Sequence, residues 1–349
     1  MLIKKVKLRN YRNYSNKEIE FDPYINIIIG KNGIGKTNIL ESIILISNTK
    51  SFRTNNDRDL IKKDEEFARI DLFSDIDRYS IVINKKNKSL LINNNFIKKT
   101  SEYIGRINAI IFKPSDLELF SQTPSERRRI LDIEISKVSK EYIYALSKFN
   151  QLLKDKNKLL KEKEIDQTLL DVIDESMTPL IKTIIIEREK FFKIINDNIE
   201  NIYKKIAKKE SSIKIVYQKC CDVLDVEKEI IKAKEKDNYY HYATFGPHHD
   251  DYYFIKDKYE LNSYASQGQK RMVLVSFKLA LIEYIKEFKN ITPIILLDDI
   301  LSELDQDNQE RLLNALPDDN QIIITDTDID NLKINRNYKL IEIKEEENV

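Results

Sequence analysis

The sequence predicts an α/β fold in which a β-rich segment and a largely parallel sheet are separated by an inserted pair of long helices. Three observations carry this. An apolar run, Ile25 to Ile29, ends directly in the glycine loop Gly30-Lys31-Asn32-Gly33-Ile34-Gly35-Lys36-Thr37, which opens a helical pattern over Asn38 to Ser47. Near the other end, strand-like and helix-like stretches alternate, as they do when strands pair in parallel. Between the two, apolar residues recur at steps of four and three over two long stretches, the spacing of a helix stripe.

With 349 residues the chain is long enough to bury a core. Its 41% hydrophobic and 34% charged residues describe a folded chain with well-solvated helices. The 59 basic and 58 acidic side chains leave a formal net charge of +1, so no global field draws the molecule onto nucleic acid and any such contact must be local. Cys220 and Cys221 are neighbours, a placement unsuited to a mutual disulfide, and they fit a reducing compartment. No apolar run approaches the roughly 20 residues of a membrane span, and the first residues lack a signal-peptide core, so a cytoplasmic protein is expected.

The elements follow in order. Leu2 to Leu8 and Ile19 to Phe21 read as strands, and the nearly all-apolar Asn38 to Ser47 suits a helix packed between layers. Ile70 to Phe73, Tyr79 to Ile83 and Ser89 to Ile92 form a meander, with Ala109 to Phe112 a further strand. Leu131, Ile135, Val138, Tyr142, Ala145, Phe149, Leu152, Lys156 and Leu159 predict one long helix. Ile181, Ile185, Arg188, Phe192, Ile195, Ile199, Ile202 and Ile206 predict a second. Joined near Lys161 to Leu170, the two make a short antiparallel arm with helices of about 40 Å each; ordinary bundle helices fit the same stripes. Then come a strand at Tyr252 to Ile255, a helix at Gln269 to Phe288, a strand at Ile294 to Leu297, a helix at Gln309 to Ala315 and a strand at Gln321 to Thr325. The acidic tail after Glu342 is expected to fray. The divisions expected are 1–122 and 239–349 for the two parts of a nucleotide-binding head, and 123–238 for the inserted arm.

The glycine loop matches GxxxxGK[ST] and lies between a strand and a helix, the context that this motif requires. Gly30, Lys31, Asn32, Gly33, Ile34 and Gly35 would wrap the phosphates of ATP with backbone N–H groups, while Lys36 reaches the β and γ phosphates and the Thr37 hydroxyl ligates Mg²⁺. The buried strand Ile294 to Leu297 ends in Asp298 and Asp299, and ligands of open α/β sheets sit at such strand ends. Asp298 is the expected Mg²⁺ partner, and Asp299 stands where a base could orient the attacking water. A third stretch, Ala265-Ser266-Gln267-Gly268-Gln269, opens the helix that precedes that strand.

The order of these parts resembles that of ABC-type ATPases, whose signature loop lies between the two nucleotide motifs. The resemblance implies that Ser266, Gly268 and Gln269 meet the γ-phosphate held by a second copy of the chain. Leu301-Ser302-Glu303-Leu304-Asp305 looks like the D-loop crossing the same dimer interface, with Thr325 at the position of a switch histidine. The stretches Tyr264 to Arg271, Leu296 to Asp305, Ile111 to Asp132 and Gly246 to Asp251, with the opening Leu8 to Tyr14, narrow the resemblance to the RecF family over essentially the whole chain. What that implies is an ABC-type head with an inserted helical arm, forming an ATP-dependent homodimer on single- and double-stranded DNA at junctions or gaps. RecO and RecR are the implied partners, and RecA loading in DNA repair and replication the implied task. With Asp299 in place of the usual glutamate, the hydrolysis implied is slow, that of a switch. A transporter motor subunit, or a passive DNA-binding adaptor, shares parts of the pattern.

Softer signals remain. His248, His249, Asp250 and Asp251 fit a loop better than a metal site, because adjacent residues rarely converge on one ion. Arg127, Arg128 and Arg129 suit either a phosphate or plain solvation, and Lys4, Lys5, Lys7, Arg9 and Arg12 could form a strip for a nucleic-acid backbone.

Overall fold

A computed structural model describes residues 1–329, 334 and 336–344, apart from the side chain of Glu303. Residues 345–349 of the acidic tail lie outside the described residues. The chain divides into two compact units, Met1–Leu117 with Ile202–Lys209 and Arg271–Val349, and Glu118–Asn201 with Glu210–Lys270.

In the first unit, β1 (Ile3–Tyr11), β2 (Tyr14–Glu20), β4 (Phe67–Ser74), β5 (Arg78–Asn84), β6 (Lys88–Ile92) and β7 (Asn95–Phe96) form a six-stranded antiparallel sheet in the order β2-β1-β4-β5-β6-β7. The expected meander is there, and the first two strands extend it. A second sheet is parallel throughout, in the order β14-β3-β13-β12-β8, built from β3 (Ile25–Ile29), β8 (Ala109–Phe112), β12 (Ile294–Asp298), β13 (Ile322–Asp326) and β14 (Tyr338–Glu342). Its strands β3, β8, β12 and β13 are apolar almost without interruption, as strands covered on both faces must be, while the edge strand β14 is largely exposed. Helix α1 (Lys36–Asn48) lies between the layers: Ile39, Leu40, Ile43, Ile44, Leu45 and Ile46 join one core with Val6, Leu8, Ile70 and Ile81 of the antiparallel sheet and Ile28, Leu296 and Ile323 of the parallel one. That two-sided burial explains its apolar pattern. A short α2 (Thr100–Tyr103) leads into β8, and α9 (Gln306–Ala315) joins β12 to β13.

The second unit holds α3 (Pro124–Ser136), α4 (Lys140–Leu159), most of α5 (Gln167–Ala207) and α6 (Val226–Tyr240), with β9 (Ile213–Gln218), β10 (Asp251–Lys256) and β11 (Tyr259–Glu260) in a small antiparallel sheet. It reaches beyond the expected 123–238, because β10 pairs along its whole length with β9. The single helix expected from Leu131 to Leu159 is two. Ser139 takes the N-cap of α4 by accepting from the Tyr142 N–H at 3.0 Å, and this local bond starts a new helix within an unbroken apolar rhythm. At 1.5 Å per residue α4 is about 30 Å long and the 41-residue α5 about 60 Å, not two helices of equal length. A short α7 (Leu261–Tyr264) then precedes α8 (Gln267–Lys289).

Two charged residues on the apolar stripes are buried with opposite charges. Lys156 lies between Asp174 at 2.6 Å and Asp237 at 2.7 Å. Arg188 donates to Asp132, Asp250, the Tyr142 hydroxyl and the Pro247 carbonyl. Breaking a buried cluster of this kind leaves uncompensated charge. We expect Lys156→Ala to cost about 3–5 kcal/mol in denaturant unfolding, with much of the loss recovered when Asp174→Asn and Asp237→Asn accompany it.

Candidate functional site

The glycine loop hangs between β3 and α1 at the carboxyl end of the parallel sheet. Gly35, the residue before α1, has φ 114°, and a Cβ there would come within 2.6 Å of the Asn13 amide and 2.7 Å of the Tyr14 hydroxyl. Both conformation and space therefore demand glycine. Gly33, at φ 80°, faces open space, since nothing lies within 4 Å of where its Cβ would be.

The loop is braced from behind. Asn13 donates to the Ile34 carbonyl at 2.7 Å and accepts from the Asn38 amide at 2.7 Å. Arg12 grips both oxygens of Glu41, a fully buried residue of α1, at 2.8 and 2.6 Å. Fork-to-carboxylate geometry of this sort fixes orientation as well as distance. The sequence reading missed this brace. Arg and Asn beside a tyrosine in a turn were the signal, but the target, a glutamate inside an apolar helix, is visible only in the structure.

Inside the loop, the Lys36 ammonium donates to the carbonyls of Gly30 at 2.7 Å and Lys31 at 3.3 Å. The Thr37 hydroxyl donates to Asp298 Oδ1 at 2.9 Å, and the Thr325 hydroxyl reaches the same oxygen at 3.1 Å. Register makes this meeting possible: Asp298 of β12 pairs with Thr325 of β13, which pairs with Ile28 of β3, just before the loop. Burial raises the Asp298 carboxyl above its ordinary pKa, and the hydrogen bonds from Thr37 and Thr325 offset only part of the rise.

Asp299 follows in the left-handed region, at φ 48°, with its N–H on the Thr325 hydroxyl at 3.1 Å. Aspartate tolerates this conformation better than most residues, and such outliers gather at functional sites. Its Oδ1 is buried and accepts no hydrogen bond among the described residues. Burial first, then the charge of Asp298, raises its pKa, while Lys36 opposes the rise. Thr325 thus holds one aspartate through its side chain and the next through its backbone.

Gly30 to Thr37, Asp298, Asp299 and Thr325 are brought together in the first unit. Ser266, Gly268 and Gln269 belong to the second, in and beside the first turn of α8. There the Ser266 hydroxyl accepts from the Gln269 N–H at 3.3 Å while the Gln269 side chain accepts from the Ser266 N–H at 3.0 Å, a reciprocal cap on an exposed turn. Asp305 caps α9, accepting from the Asn308 N–H at 2.8 Å.

Several softer candidates have structural roles. Arg127 is paired with both oxygens of Asp251, and Arg128 donates to the Asp250 carbonyl. Asp250 is a buried hub that accepts from Arg188, the Tyr217 hydroxyl and the Cys220 N–H. Burial lowers the His248 pKa to about 4, so that ring is neutral near pH 7. Lys5 and Lys7 are taken up by Glu18 and Glu20 across the β1–β2 pair, and Arg12 by Glu41, which leaves little of the supposed basic strip.

The residues present fit a polyphosphate held with a divalent cation. The mouth of the loop is open at Gly33, the helix N-terminus favours an anion, and Thr37 and Asp298 present oxygens side by side. No group of three or more His, Cys, Asp or Glu side chains suited to a metal exists among the described residues. A cation at Thr37 and Asp298 would share its remaining positions with phosphate and water, as Mg²⁺ commonly does.

A parallel sheet ending in this loop and acid pair, interrupted by an inserted helical unit, defines an ATPase head of the SMC class. The family model described as the RecF/RecN/SMC N terminal domain matches residues 2–349. The DNA replication and repair protein RecF of Lachnoclostridium phytofermentans is 37% identical over 355 residues, covering 98% of each chain, and that of Clostridium tetani is 38% identical over 348 residues, covering 95% of each. The chain belongs to the RecF family. A solved structure described as the recombination mediator protein RecF with ATP in the RecFOR pathway superposes with a TM-score of 0.87 at 29% identity, covering 94% of each chain. An Smc head domain from Pyrococcus furiosus shares the fold at a TM-score of 0.52 and 19% identity, covering 93% of this chain and 89% of that one.

Because the folded-state pKa of Asp299 is raised, its ionised form costs stability at neutral pH, and the cost disappears as pH falls through that pKa towards the ordinary carboxylate value. Asp299→Asn should therefore raise the Tm of the nucleotide-free protein at pH 7, by about 1–2 °C after allowance for solvent screening of a half-buried charge. Melting curves across pH should show that gain shrinking as the solution is acidified.

Proposed function

We propose that this chain is an ATP-dependent DNA-binding protein of recombinational repair and replication, in which ATP joins two copies on DNA and slow hydrolysis releases them. The row of Thr37, Asp298 and Thr325 beneath the glycine loop is the observation that carries the reading, because it pairs a phosphate cradle with a cation site. In this reading the backbone of Gly30 to Gly35 and the Lys36 ammonium bind the phosphates. Thr37 and Asp298 hold Mg²⁺, which when bound neutralises charge on the β and γ phosphates. Asp299, with a free and less acidic carboxyl oxygen, accepts a proton from the attacking water or orients it. Aspartate is shorter than glutamate and must reach further, which suits a switch with slow turnover.

The exposed turn at Ser266, Gly268 and Gln269 has no phosphate of its own to serve in this reading, and meets the one held by a second copy. Asp305 and the segment before it would cross the same interface. The solved relative described with ATP in the RecFOR pathway supports ATP as the nucleotide and a place in that pathway. In this reading RecO and RecR are the partners, at single- and double-stranded junctions where RecA is loaded. The relatives reported above are repair proteins, which favours this reading over a transporter motor. No helix among the described residues is long and apolar enough to cross a membrane, and a cytoplasmic site of action follows from the DNA role.

DNA affinity measured with and without ATP tests the whole reading, since a passive adaptor would bind equally in both. Ser266→Arg should leave ATP binding nearly intact while abolishing the ATP-induced dimer in light scattering, and persistence of that dimer would disprove the cross-subunit arrangement. Asp299→Asn should bind ATP and then hold the dimer for at least tenfold longer than the unaltered chain, as read by dimer dissociation after dilution.

A further inference from the structure

We propose that the outward face of α6 is a contact surface for single-stranded DNA, with Lys228, Lys232 and Lys236 following the phosphates and Tyr239, Tyr240 and Tyr242 stacking on bases. The inference rests on the DNA-binding reading above and adds the place where contact is made.

Helix α6 buries Val226, Ile230, Ala233 and Asp237, so at 3.6 residues per turn Lys228, Lys232 and Tyr239 point the opposite way. The three lysines occupy every fourth position, a step of about 6 Å along the axis that suits successive phosphates of an extended strand. All three are exposed, and neither Lys228 nor Lys236 has a carboxylate partner among the described residues. The nearby acids are largely engaged. Glu227 pairs with Lys182 at 2.5 Å, Asp237 is turned inward to Lys156, and Glu229 pairs with Lys232 at 2.6 Å. The Glu229 carboxyl is held below its usual range first by its hydrogen bond to Lys232 and then by the charges of Lys232, Lys228 and Lys236. Glu235 is an exposed carboxylate on this helix with no partner among the described residues.

At the end of this ridge the three tyrosines are exposed by 77, 54 and 47%, far more than packing alone would leave them. Their rings rest on one another, with centroids 5.0 and 5.9 Å apart. Their backbone is fixed by the His241 ring on the Leu160 carbonyl at 2.9 Å and by the Ala243 N–H donating to Asn157 at 2.7 Å. Rings held in this way offer stacking surface with little ordering cost. A line of cations leading to aromatic faces is how proteins hold an unpaired strand without reading its sequence. Lysines interrupt the apolar surface around Ile231, which favours a strand of nucleotides over a protein helix.

The test measures anisotropy of a labelled oligothymidylate on the full chain with ATP across a salt series. Each phosphate contact contributes a slope of about 0.7 in log affinity against log salt, so Lys228→Ala, Lys232→Ala and Lys236→Ala together should flatten the slope by about 2. Tyr239→Ser with Tyr240→Ser should weaken binding about tenfold with the slope unchanged, and should affect a duplex of equal length much less. Both variants should form the ATP-dependent dimer normally, because all five side chains are exposed. Unaltered strand affinity in variants that still dimerise overturns this inference alone and leaves an acidic protein segment as the occupant of the face. Failure of the unaltered chain to bind the strand, with or without ATP, overturns the DNA-binding reading and this inference with it.

Discussion

A carboxylate buried at the end of a parallel sheet resists ionisation unless something stabilises its charge, and two threonine hydroxyls do so for Asp298. Thr37 comes from the helix after the glycine loop and Thr325 from the adjacent strand, so both the loop and the sheet are tied to one oxygen. The same Thr325 holds the backbone of Asp299 in its left-handed turn. Removing that hydroxyl would loosen two aspartates together. The position and charge of the acid pair therefore depend on strand register more than on any loop.

The loop itself has little intrinsic reason to keep its shape. Its conformation is stored in the elements behind it, where Asn13 secures Ile34 and Asn38, and Arg12 reaches the buried Glu41 of α1. Glu41 also accepts from Ser51 at 2.5 Å, which ties the far end of the helix to the same carboxylate. A buried acid satisfied by this many donors is fixed in place, and so is the helix that carries it. The antiparallel sheet thereby takes part in the site without supplying a residue to its chemistry.

The regular parts of this fold were legible because their sequence periods are unambiguous. β3 and β8 fall on the expected residues, and α1, β12 and the meander within a few of them. The glycine loop and acid pair were legible because their chemistry permits few residue types. What escaped depended on a single local cap or on partners distant in sequence. Ser139 breaks a helix through one local bond that a heptad pattern does not register. α6 went unseen because its fourth inward position is Asp237, acceptable there only because Lys156 is buried against it. Arg188 lies on an apolar stripe for the same reason, with its counter-charges on Asp132 and Asp250. The basic strip at the start of the chain looked available only until β2 supplied its glutamates.

Thr37 and Asp298 stand 261 residues apart in the chain, and the central strand β13 lies further on still. On a ribosome, the cradle emerges early and waits, with its sheet unfinished, while the whole second unit is made. Until the final strands arrive, β3 has neither of its sheet neighbours and Glu41 and Arg12 can already meet, yet no carboxylate stands beneath the loop. The complete arrangement, with Asp298 and Thr325 beneath Thr37, is thus assembled only when translation is nearly done, so a copy truncated before β12 lacks the acid pair altogether.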